Sequence, residues 1–271
     1  VPFIGYARKT NGFLYLKYFE NGSIHIVIEK ERSGETKNLD ITQKLIITYG
    51  IAAAMEYLHA NQIIHRDLKP ENVLLDSDFF PVITDFGTSK FLDEPSTNNT
   101  IWRTTPYIMA PEYISDPHQF KSSPRIDVFS YAMTLYYLWV SEIPYKALKT
   151  EDAIFDAIET GVKPSLPAYV PPQIRYIISC CWSQSPELRP TFSEILEELK
   201  SPIIIDLMNI DQQRYIAYMN KIDMYRPTLK LNPSNSGFHI PEQDTFFERI
   251  EENGSEILAD LRQQAESDPN D

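Results

Sequence analysis

Apolar and polar positions follow several distinct rhythms along this chain. Short apolar, aromatic runs at 1–6 (VPFIGY) and 13–18 (FLYLKY), separated by a link containing KTNG, predict a β-hairpin. Residues 40–60 carry Ile41, Leu45, Tyr49, Ala52, Met55 and Leu58 at spacings of three and four. That period predicts a long amphipathic helix with Asp40 as its N-cap. Strand-like stretches follow at QIIH (62–65), NVLL (72–75) and PVIT (81–84). Residues 88–107 are polar and rich in Ser, Thr and Asn, and predict an exposed loop.

From residue 125 the apolar density rises. RIDVFSYAMTLYYLWV is apolar nearly all round, the mark of a buried helix. Further helices are predicted at 151–160, stopped by Gly161, and at 171–182, opened by Pro171 and Pro172. Another is predicted at 191–200, where Thr191 and Glu194 have capping-box spacing. After Lys200 the pattern weakens. LKLNPSNSG (229–237) reads as a linker, and 243–265 as two short amphipathic pieces split by Gly254. A few strands followed by a helical block predict an α+β fold with an incomplete sheet.

Composition narrows the picture. The chain of 271 residues is 42% hydrophobic and 23% charged, the balance of a folded globular protein rather than a disordered one. No apolar run approaches eighteen residues, so no membrane span is expected, and no signal peptide is visible. Val1 is read as excised from something longer. The two cysteines, Cys180 and Cys181, are adjacent and offer neither a disulfide framework nor zinc spacing. They suit a reducing compartment, and a cytoplasmic location is expected. Net charge is −13, more than half of it from residues 201–271. Such a chain does not neutralise phosphates along a duplex, so nucleic acid is not an expected partner.

The chemistry concentrates in IIHRDLKPENVLLDSDFFPVITDFGTSK, residues 63–90. Asp67, Asn72 and Asp85 fall on short turns between apolar runs. Magnesium takes oxygen ligands and shares them with substrate phosphates, so an Asp and an Asn on neighbouring turns can hold it. A second Asp can accept a proton from an attacking hydroxyl. Lys69, two residues beyond Asp67, can steady a transferring phosphoryl group. Phosphoryl transfer needs these parts, since positioning and charge neutralisation supply most of its catalysis.

At these residues the chain resembles the protein kinase family. HRDLKPEN (65–72) resembles the catalytic loop and DFG (85–87) the metal-binding loop. APE (110–112), DVFSYA (127–132) and CWSQSPELRPTF (181–192) follow in the family's order. The resemblance covers residues 1 to about 200. It implies a protein-kinase-like α+β fold, with a mostly helical large lobe and a remnant of the small-lobe β-sheet. The implied organisation is a small-lobe remnant and hinge at 1–19, a large lobe at 20–200, and an acidic extension, partly helical or disordered, at 201–271.

The resemblance also assigns roles. Asp67 is implied as the base that orients the target hydroxyl, Lys69 as the γ-phosphate contact, and Asn72 and Asp85 as magnesium ligands. Glu112 and Arg189 are implied as a buried ion pair anchoring the activation segment. Asp127 would brace the catalytic-loop backbone, and His65 would pack on Phe86. Around the adenine of ATP, the Lys17 carbonyl and Phe19 N–H would meet the ring edge, with Leu16 as gatekeeper and Leu74 as floor. Thr105 would bond the base and the lysine. Arg66 would await a phosphate on the activation segment, with Thr100 the first-choice acceptor.

Some family parts have no counterpart in this sequence. No G-x-G-x-x-G can be assembled from its nine glycines, and no V-A-I-K-like strand precedes the hinge. VPFIGY resembles the fourth small-lobe strand, so the chain is expected to begin inside the small lobe. Thr104 and Ala132 replace two of the family's glycines. The expected function is that of a Ser/Thr protein kinase of the tyrosine-kinase-like group, using ATP and magnesium on a protein substrate. The alternatives are a kinase-like scaffold or pseudokinase acting as a binding module, and a dual-specificity or tyrosine kinase.

Overall fold

A computed structural model of the chain describes residues 3–8, 12–92, 105–115, 123–207 and 209–225. They fall into two compact units, one containing the N-terminal hairpin and a larger body beginning at Phe19. In the first, β1 (Phe3–Arg8) pairs antiparallel with β2 (Gly12–Leu16), as the two apolar runs predict.

The larger body opens with α1 (Ile24–Ser33), capped by the Ser23 hydroxyl and ended by Gly34 at φ 78°. α2 (Ile41–Ala60) starts at a complete capping box. Gln43 N–H donates to Asp40 Oδ1 at 2.6 Å, and the Gln43 side chain accepts from Asp40 N–H at 2.9 Å. Short strands follow: β3 (Ile63–Ile64), β4 (Val73–Leu75), β5 (Pro81–Ile83) and β6 (Lys90–Phe91). β4 and β5 form one antiparallel pair, and β3 pairs with β6. The β6 pairing corrects the prediction of an unbroken loop from residue 88. Two residues of strand suffice where Ile63 and Ile64 offer a partner edge, a fact that local polarity does not reveal.

The helical block then runs through α3 (Pro111–Ser115), α4 (Arg125–Val140), α5 (Glu151–Glu159), α6 (Pro172–Cys181) and α7 (Phe192–Leu199). α4 is buried from Ile126 to Val140 and forms the axis of the core. Two of its polar groups find partners on α2. Tyr131 donates to Thr48 O at 2.9 Å, and Trp139 Nε1 donates to Thr48 Oγ1 at 3.0 Å. Each such bond offsets the desolvation of a buried donor.

Beyond Lys200 the structure holds more order than the weak pattern suggested. α8 (Pro202–Leu207) leads to α9 (Gln212–Tyr225), which packs on α2. Tyr215, Tyr218 and Met219 are buried there, each such side chain contributing roughly 1.5–3 kcal/mol by leaving water. Tyr49 donates to Asp223 Oδ1 at 3.0 Å, and Lys200 pairs with the same carboxylate at 2.9 Å.

Candidate active site

The turn between β3 and β4 carries His65 to Asn72, and one carboxylate organises it. Asp127, fully buried in the first turn of α4, accepts His65 N–H at 2.9 Å and Arg66 N–H at 2.8 Å. His59 Nε2 reaches the same carboxylate at 2.8 Å. A carboxylate only accepts, so His59 carries its proton on Nε2. These bonds hold Arg66 in the left-handed region, at φ 71°, a conformation that a non-glycine residue adopts only under support.

His65 is fully buried, and its two ring nitrogens have different partners. Nε2 lies 3.1 Å from Thr84 O, while Nδ1 accepts Asp67 N–H at 3.3 Å. Only the tautomer protonated on Nε2 satisfies both. The ring meets Phe86 edge-on, with centroids 5.1 Å apart. His65 thus acts through position: it joins the Asp67 backbone to the segment that carries Asp85.

Asp67, Lys69 and Asn72 converge. Asp67 Oδ2 accepts Lys69 Nζ at 2.7 Å and Asn72 Nδ2 at 2.9 Å, and Asn72 Nδ2 also donates to the Asp67 carbonyl at 2.8 Å. Thr84 N–H donates to Asn72 O at 2.9 Å, which fixes the residue before Asp85 to the Asn72 backbone. Asp85 is exposed at φ 62°, with Gly87 N–H on its Oδ1 at 3.2 Å. Because the Asn72 amide donors face Asp67, its Oδ1 is left as a ligand atom. Asn72 and Asp85 therefore offer oxygen only, the donor set of a hard cation such as magnesium. Among the described residues, no three His, Cys, Asp or Glu side chains group to cage a metal. A divalent ion here would complete its shell with phosphate oxygens and water.

Glu112 and Arg189 form a bidentate pair, both N···O distances 2.7 Å, with the Arg189 side chain fully buried. Arg189 also donates to Ser183 O at 2.8 Å and Arg125 O at 3.0 Å, which ties α3 to the starts of α4 and α7. Thr105 heads the short turn Pro106–Ile108, whose last carbonyl accepts the Ser130 hydroxyl at 2.9 Å. Burial holds the Tyr107 hydroxyl well above the usual phenol range, with the charges of Glu71 and Asp67 adding to it.

Of the nucleotide residues, Phe19 is buried and Leu74 half-buried, and the stretch between them is tied. Leu75 N–H donates to Gly22 O at 2.8 Å, and Ser23 bridges Leu74. Leu16 ends β2 and Lys17 is exposed just after it, both in the hairpin unit. Arg66 is buried, while Thr100 lies outside the described residues. Sequence reasoning passed over His59. Its only sequence signal was a histidine in the last turn of α2, where a cation also complements the helix dipole.

Residues 1–199 match the family described as protein tyrosine and serine/threonine kinase. The chain is 35% identical over 205 residues to serine/threonine-protein kinase STY17 of Arabidopsis thaliana, covering 75% of this chain and 34% of that protein. It is 31% identical to serine/threonine/tyrosine-protein kinase HT1 of the same plant, covering 74% and 50%. It is 32% identical to human receptor-interacting serine/threonine-protein kinase 1, covering 69% and 29%. The chain spans half or less of the length of these relatives.

Proposed function

Since the chain belongs to the protein tyrosine and serine/threonine kinase family, we propose that it transfers the γ-phosphate of Mg-ATP to serine and threonine hydroxyls of proteins. The observation that carries this reading is the convergence of Lys69 and Asn72 on Asp67 Oδ2. Asp67 is held on both sides, by its N–H on His65 and by its carboxylate on two donors, so it would meet a substrate hydroxyl without reorganising. It would orient that hydroxyl and take its proton. Lys69, held at Asp67 Oδ2, would present its charge to the transferring phosphoryl group and neutralise charge as it develops.

Asn72 Oδ1 and Asp85 would hold magnesium, which when bound neutralises charge on the nucleotide phosphates. Leu74 would support the adenine, and the Phe19 N–H would meet its edge. Lys69 favours serine and threonine. The name of the HT1 relative, which includes tyrosine, supports dual specificity as the second reading.

The test uses the full-length protein with Mg-ATP and matched Ser, Thr and Tyr peptides. Asp67→Asn is expected to lower peptide phosphorylation by about 10²–10⁴-fold while nucleotide binding persists. Full activity in that variant would remove Asp67 from the reaction. Phosphate on tyrosine as fast as on serine would establish the second reading.

A further inference from the structure

Lys163 sits in a built environment that phosphoryl transfer does not use. α5 ends at Glu159 with Thr160 as its C-cap, Gly161 turns the chain at φ 81°, and Val162 N–H returns to Ala157 O at 2.8 Å. The Val162 carbonyl accepts the Tyr145 hydroxyl at 2.8 Å. This tight reversal lays Lys163 over Phe129 of α4, with Nζ 5.2 Å from the ring centroid. The Arg189 guanidinium lies 5.2 Å from the centroid of the same ring, so two cations contact one aromatic side chain.

Gln184 completes the arrangement. Its Nε2 donates to Ile158 O at 2.8 Å and Glu159 O at 3.1 Å. That fixes the amide's orientation and turns Oε1 to Lys163 Nζ at 3.0 Å. The lysine therefore has a neutral acceptor where a surface lysine often has a carboxylate. The charged groups that face it are Arg189 and, from α3, Glu112, whose two oxygens are already taken by Arg189.

We propose that Lys163 is an acyl-acceptor site, its half-buried side-chain amine taking acyl groups from thioesters. The amine attacks the thioester carbonyl; the N–C bond forms and the C–S bond breaks. The thiolate leaves and takes up the proton that nitrogen releases, giving an amide and a thiol. A lysine becomes a better nucleophile as it loses water or feels another cation, and Lys163 is half-buried within the field of Arg189.

Burial, and then the Arg189 charge, push the ammonium down to about 8, with Glu112 opposing. At pH 7.5 about a quarter of the amine is then neutral, against about one part in a thousand at the ordinary value of 10.5. Lower basicity takes back part of this two-hundredfold or so advantage, leaving on the order of tenfold in rate. The product amide would no longer carry a charge beside the Glu112–Arg189 pair.

The experiment treats the full chain with S-acetyl-N-acetylcysteamine and follows each lysine by peptide mass spectrometry. At pH 7.5, Lys163 is expected to acetylate at least about tenfold faster than the exposed Lys149. Its rate should level off above about pH 8. Gln184→Glu, which sets a carboxylate against the amine, should slow Lys163 several-fold and leave Lys149 unchanged. A Lys163 rate at or below that of Lys149, a rate still climbing through about pH 9.5, or a Gln184→Glu variant with unaltered Lys163 reactivity would each overturn the proposal.

Discussion

Replacing Gly50 by alanine pits two effects of similar size against each other. Gly50 lies in the middle of α2, where alanine ordinarily stabilises a helix by about 1 kcal/mol. Here the added Cβ would overlap the Tyr218 hydroxyl and stand 2.5 Å from Pro81 Cγ and 2.9 Å from Pro81 Cδ. The proline ring cannot swing aside, because Pro81 opens β5 and pairs with Leu75. Tyr218 is itself held, 4.6 Å from the Phe80 ring and packed against Tyr49.

Neither neighbour is the loose end of a flexible side chain, so the overpacking cost belongs at the upper end of its range, about 3 kcal/mol. Subtracting the helix gain leaves a net loss of about 2 kcal/mol, or roughly 4–8 °C in Tm for a body of this size. Denaturant unfolding of Gly50→Ala against the parent measures it. Adding Tyr218→Phe should return part of the loss, since the hydroxyl contact goes while the proline contact stays. A Gly50→Ala chain as stable as the parent, or more so, would refute the close packing of α9 on α2.

Two further outcomes follow from buried groups. Asp127→Asn keeps the shape but replaces one accepting oxygen with an amide donor, set either against Arg66 N–H or against His65 N–H and His59 Nε2, so it should destabilise the chain by about 1–3 kcal/mol. It should also speed hydrogen exchange at the His65 and Arg66 amides more than elsewhere, and uniform protection would count against the bracing role. Lys163 supplies a pH signature. The unfolded chain holds that proton up to about pH 10.5 and the fold only up to about 8, so the unfolded state binds more protons between those values. Lys163 therefore adds to stability as pH rises through this window. Denaturation of Lys163→Met, compared with the parent from about pH 7 to 9.5, should lack that increment; identical slopes would show that the lysine titrates as it does in water.

Much of this protein was legible in its sequence, for reasons that are local. The Asp40–Gln43 and Thr191–Glu194 caps involve groups three residues apart, and α4 reads as buried because nearly every one of its positions is apolar. Asp67, Lys69 and Asn72 could be recognised together because five residues of covalent chain already place them near one another. Other features rest on partners that the chain brings together only by packing. Asp127 meets the His65 and Arg66 backbone across some sixty residues, and Tyr49 meets Asp223 across 174. α9 has too weak a pattern to announce itself, and its place depends on a glycine that makes room on another helix. Lys163 is one lysine among many until a turn lays it over Phe129, the ring that Arg189 also contacts. Propensity, capping and periodicity act over about one turn of helix. Burial, convergence of donors on a shared carboxylate and repulsion between charges depend on distance in space, and only the tertiary structure sets that.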